Sequence, residues 1–200
     1  MKKLIAIALL GTVTTFTAAC TSASNSNTNT TNTATTNSST HNDAGAASAD
    51  VPAAVKTAIP DAQSFTMQHK NLTAEQVAAV ERDTNTKIKD KDHHSYLAIS
   101  TAGGTRRQIG AATIVDANGK QMVVVYESRE GVPYIKEVRA EGVAQGFLDQ
   151  FKGKGHDNKL QIGNDLKTNG ADDATARAAA DAIRQDAVIM QTLYGGAHGH

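Results

Sequence analysis

The side chains best placed for chemistry lie near the C-terminus, where DLKTNGADDATARAAADAIRQ runs from a polar turn into an alanine-rich helix. A helix start is a natural anion seat. Its first N–H groups lack partners, and the helix dipole places about half a positive charge there. Gly170 allows close backbone approach to a phosphate, and Thr168 and Asn169 supply hydrogen bonds. Asp172 and Asp173 act the other way. Carboxylates in the first turn satisfy the same N–H groups, and at contact range they repel a phosphate more strongly than one neutral hydrogen bond attracts it. The balance favours self-capping over phosphate binding.

Other constellations offer less. In FKGKGHDNK, Lys152 and Lys154 are alternative phosphate partners, as is Arg177 further on, although a lysine-glycine run after a helix reads first as a solvated turn. Tyr126, Tyr134 and Phe151 are the available walls for a planar ring, but a chain with 4% aromatic residues needs them for its core. His93 and His94 are adjacent, so on a strand they point to opposite faces and do not share an ion. His198 and His200 sit in a glycine-rich tail, and His156 has only Asp157 beside it. The expectation is no metal site. Nucleophile, metalloprotease and Walker motifs do not occur, and no residue is expected to be catalytic.

Composition narrows the class. Lys+Arg and Asp+Glu stand at 20 each, so no nucleic-acid footprint is expected. With a single cysteine, an intrachain disulfide cannot form. That cysteine ends MKKLIAIALLGTVTTFTAAC, where two lysines precede an apolar run from Leu4 to Leu10 and small residues precede Cys20. The run suits the core of a secretory signal and is too short to span a bilayer. The stretch resembles a bacterial lipoprotein signal over residues 1–19, with Cys20 as the acylated (palmitate-bearing) N-terminus; the alternative is an ordinary signal cut after Ala19. Removal of Lys2 and Lys3 would leave 18 basic against 20 acidic residues. Residues 20–50 are dominated by Ser, Thr and Asn and read as a disordered linker with a span of about 30 Å.

From Val51 the sequence can fill a core. VPAAVKTAIP predicts a short helix, and the stretch around Ser64 to Gln68 an extended segment. Thr73 with Gln76 three residues on predicts a capping box before a helix. HSYLAIS is a strand. QIGAATIVDANGKQMVVVYES is two strands joined at Asn118–Gly119, and VPYIKEV is a strand returning beside MVVVYE through a turn at Arg129–Gly131. EGVAQGFLDQFKG predicts a helix carrying Val143, Phe147, Leu148 and Phe151. Ala176, Ala180, Ile183, Ala187, Met190 and Tyr194 recur at helical steps, with Gly195 as a stop. The fold class is α+β: an antiparallel sheet covered by helices, one domain over 51–195, with 196–200 as a tail.

Four of these pieces, QIGAATIVDANGKQMVVVYES, GFLDQFKGK, LQIGNDL and the TNGADDAT turn with its helix, occur in an order similar to the FMN-binding domain family. That family is known from periplasmic subunits of sodium-translocating NADH:quinone oxidoreductase and of Rnf-type complexes. The similarity runs from about Leu72 to Leu193, and Glu127 falls where the family has a glutamate-containing segment. It implies an electron-transfer flavoprotein that holds FMN by its phosphate. The residues implied to bind it are Thr168, Asn169, Gly170, Ala171, Thr175 and Lys152. In flavinylated members a Ser-Gly-Ala-Thr sequence carries FMN on its final threonine. Here Asp172 stands at that position, so any FMN is expected to be noncovalent, with a redox partner protein in the envelope. The alternative implied is a fold that has lost the cofactor and acts as a binding or structural lipoprotein. Either way the protein would be lipid-anchored, facing the periplasm or the cell exterior.

Overall fold

The computed structural model describes residues 51–196. The signal sequence, Cys20, the linker, His198 and His200 lie outside the described residues. The chain runs α1 (Ala53–Ala58), β1 (Ser64–Asn71), α2 (Ala74–Thr84), β2 (Asp92–Ser100), β3 (Arg107–Ala117), β4 (Lys120–Arg129), β5 (Val132–Ala140), α3 (Gln145–Leu148) and α4 (Asp173–Tyr194). The five strands form one antiparallel sheet in sequence order, the α+β arrangement expected.

Local chemistry explains each corner. Asn118 and Gly119 both adopt positive φ (55° and 76°), the conformation a two-residue hairpin needs to match strand twist. Glu130 and Gly131 repeat this between β4 and β5, with φ of 54° and 84°. At α2, Thr73 Oγ1 accepts from the Gln76 N–H, and the Gln76 side chain accepts from the Thr73 N–H, closing the capping box.

Each sheet face buries its own apolar layer. On one face, Met122, Val124, Tyr126, Ile135 and Val138 meet Ala176, Ala180, Ile183, Ala187 and Met190 of α4, with Phe147, Leu148 and Phe151 completing the cluster. On the other, Val55, Ala58 and Ile59 cover Phe65, Tyr96, Ala98, Ala112, Val123 and Val125. Leu72, Val80 and Ile189 join α2 to α4. The pairing register shifts at Ala98/Ile99 between β2 and β3, and at Val125/Tyr126 between β4 and β5. Bulges of this kind bend the strands that carry them.

One expectation needs correction. The helix over EGVAQGFLDQFKG is confined to Gln145–Leu148, followed by a single 3-10 turn at Asp149–Phe151. Val143 precedes it, because Gly142 (φ 67°) turns the chain there and Gly153 (φ 76°) turns it again after the 3-10 segment. Gly195 ends α4 as expected, with φ of −68°. No helix among the described residues is long and apolar enough to cross a membrane.

Candidate functional site

The turn that opens α4 is tightly built. Thr168 O accepts from the Ala171 N–H at 2.9 Å, with Asn169 and Gly170 at φ of 41° and 89°. Asn169 Nδ2 donates to Gly146 O at 3.2 Å, and a methyl group at Gly170 would lie 3.6 Å from Ala144 Cβ. The corner therefore leans on the start of α3. Asn169 and Gly170 remain exposed, while Ala171 packs against the main core.

Asp172 is the N-cap of α4, and its Oδ1 accepts from the Thr175 N–H at 2.9 Å. Its carboxyl is held below the usual range, first by a hydrogen bond from the Thr175 side chain and then by the Thr175 N–H, with the Lys120 ammonium adding a smaller pull. Asp173 forms a forked pair with Arg177 one turn on (2.8 and 3.2 Å). Self-capping, the outcome favoured by the sequence, is what the helix start shows.

The basic residues that might have compensated are placed elsewhere. Arg177 faces Asp173, and Lys154 Nζ lies 3.8 Å from Asp165 Oδ2. Lys152 is exposed beyond the 3-10 turn; among the described residues no hydrogen bond or ion pair joins its side chain to the Thr168–Ala171 turn. The phosphate of a flavin thus does not fit this corner: two carboxylates stand in the first turn, and the Thr175 N–H a phosphate would use is occupied. Of the aromatic residues, Tyr126 and Phe151 are core, and Tyr134 is half-buried beneath the Arg129 guanidinium.

A surface cavity of about 720 Å³ lies at the opposite end of α4. Leu97, Ala111 and Met190 give it an apolar floor, and Gln68, Lys70 and Gln108 a polar rim. Its size suits a small ligand. The Lys70 ammonium is not free for an anion there. It donates to Leu193 O at 3.0 Å and sits 4.0 Å above the Tyr194 ring, neutralising the negative end of the helix. None of Thr168, Asn169, Gly170, Ala171, Thr175 or Lys152 lines this groove or the smaller one around Arg106 and Arg107.

Two clusters were missed by sequence reasoning. Asp186, only 5% exposed, receives Thr113 Oγ1 and Tyr126 OH on Oδ2, both at 2.6 Å, and pairs its Oδ1 with His93 Nε2 at 2.9 Å. Burial, and then the Asp186 charge, push the Tyr126 hydroxyl well above its ordinary pKa. On the other sheet face His69, Asp92 and His94 meet. His93 and His94 do point to opposite faces, as expected, but His94 finds a cross-strand partner that local spacing does not reveal. Comparisons of the chain with family models, curated proteins and solved structures return no match.

Proposed function

We propose that this chain is a lipid-anchored envelope protein whose folded unit is an FMN-binding-type domain acting as a binding or structural module without flavin. The observation that carries the reading is the helix start of α4, where Asp172 takes the Thr175 N–H and Asp173 takes Arg177. An anion seat filled by the chain's own carboxylates has no remaining attraction for a phosphate. The order of the four pieces QIGAATIVDANGKQMVVVYES, GFLDQFKGK, LQIGNDL and TNGADDAT supports the family likeness, and the resemblance of residues 1–20 to a lipoprotein signal supports the anchor. No residue has a catalytic role in this reading. The groove bordered by Met190 and Tyr194 offers a surface for a ligand.

The test is flavin content. The full chain is expressed with flavin supplied, purified, and its absorbance recorded near the flavin bands before and after acid precipitation. A colourless protein is expected. Yellow released into the supernatant would mean noncovalent FMN and overturn the proposal. Yellow retained in the pellet would mean covalent attachment and overturn it equally.

A further inference from the structure

We propose that His69, Asp92 and His94 form a divalent transition-metal site at the β1–β2 edge of the sheet. In the antiparallel pairing His69 stands directly opposite His94, and Asn71 opposite Asp92. Side chains two apart on a strand share a face, so Asp92 and His94 project to the same side. That side also carries Phe65, Met67, Tyr96 and Ala98, so His69 belongs to it as well. Three ligand-bearing residues are thus brought together by ladder register alone, on a rigid frame.

The distances suit an ion. His94 Nε2 lies 2.7 Å and His69 Nδ1 3.7 Å from the same Asp92 Oδ2, and one ligand atom from each residue fits within a 4.8 Å span. Bonds of about 2.0–2.2 Å to imidazole nitrogen and carboxylate oxygen around one ion place neighbouring ligand atoms roughly 3–3.5 Å apart. Small rotations of the two rings are enough to reach this.

A plain surface hydrogen bond between Asp92 and His94 accounts for only part of the arrangement. It does not explain why His69 aims its Nδ1 at the same oxygen, with the two rings 4.1 Å apart. Nor does it explain Asp92 Oδ1, which is shielded from solvent and has no hydrogen-bond partner among the described residues. An ion between the three residues accounts for the first, because it draws the two nitrogens to one carboxylate, and a carboxylate binding it through both oxygens would use Oδ1 as well. The side chains stay 49%, 36% and 46% exposed for His69, Asp92 and His94, so water can reach the remaining coordination positions.

Two imidazoles and one carboxylate favour Zn²⁺, Co²⁺, Ni²⁺ or Cu²⁺ over the oxygen-seeking Mg²⁺ and Ca²⁺. The site is independent of any flavin chemistry and stands whether or not the colourless outcome above is found.

The full chain, made without a histidine purification tag and with His198→Ala and His200→Ala to silence the tail, is titrated with Co²⁺ and followed by its visible ligand-field absorption. One equivalent is expected to bind and to be displaced by Zn²⁺. His69→Ala and His94→Ala, each in that background, are expected to weaken binding at least tenfold. Both residues are half-exposed, and unchanged melting without metal checks that the variants remain folded. No Co²⁺ binding by the parent, or a loss smaller than tenfold in either variant, overturns the site.

Discussion

Asp186 shows what a single buried carboxylate can organise. It joins β2, β3 and β4 to α4 through His93, Thr113 and Tyr126, and so fixes the rotation and height of the helix on the sheet. Tyr126→Phe removes one hydrogen bond to a charged acceptor and is expected to cost about 1.5–3 kcal/mol in urea unfolding. A pH consequence follows from the same contact. The Tyr126 hydroxyl has its pKa raised in the folded chain above its ordinary 10.0. The associated stability is therefore fully present below pH 10, and it falls as pH climbs beyond, because the unfolded chain releases the proton and the folded chain retains it. Tyr126→Phe should flatten this alkaline loss, with Tyr96 and Tyr194 supplying what slope remains. Little of this knot was legible in the sequence. Asp186 reads as one polar residue in an alanine-rich helix, and its three donors are separated by long stretches of chain. Asp172 was legible, because a cap and its N–H partner are close neighbours in sequence.

At the level of elements, legibility follows range. The capping box of α2 depends on residues three apart, and Thr73→Ala is expected to cost about 1 kcal/mol by thermal or urea unfolding. The long periodic face of α4 and the Asn118–Gly119 hairpin were equally local signals. The helix over EGVAQGFLDQFKG was over-read because its apolar spacing fits a helix while its glycines do not. Gly142 and Gly153 adopt backbone conformations that end regular structure, and only a short helical segment survives between them. The β4–β5 turn carries an avoidable strain: Glu130 holds a left-handed conformation that side chains with a Cβ resist. Glu130→Asn should stabilise the domain by about 0.5–1 kcal/mol, read as a higher urea midpoint with unchanged slope.

Across the whole molecule, the two faces of the sheet are covered unequally. The long α4 shields one face, with α2 packed against α4, whereas the other face depends on the short α1 and the residues just after it. Val55 is fully buried there, and Val55→Ala is expected to cost about 2 kcal/mol from lost burial and the small void left behind. The meeting of His69 with His94 belongs to this scale as well. It requires β1 to pair with β2 across the intervening α2, an arrangement that no local spacing encodes.

The two register shifts sit side by side, around Gly110 and Tyr126, at the end of the sheet where α4 stops. Gly110 is pressed so close to Tyr126 O that an added methyl would stand 3.0 Å from it. Bulges bend the strands that carry them, and a long helix laid over the sheet does not bend with them. The groove bordered by Gly110, Tyr126 and Tyr194 opens beside these irregularities. Exchanging Gln68 or Gln108 would change what the groove can hold, whereas a side chain at Gly110 would press on the backbone that shapes its wall.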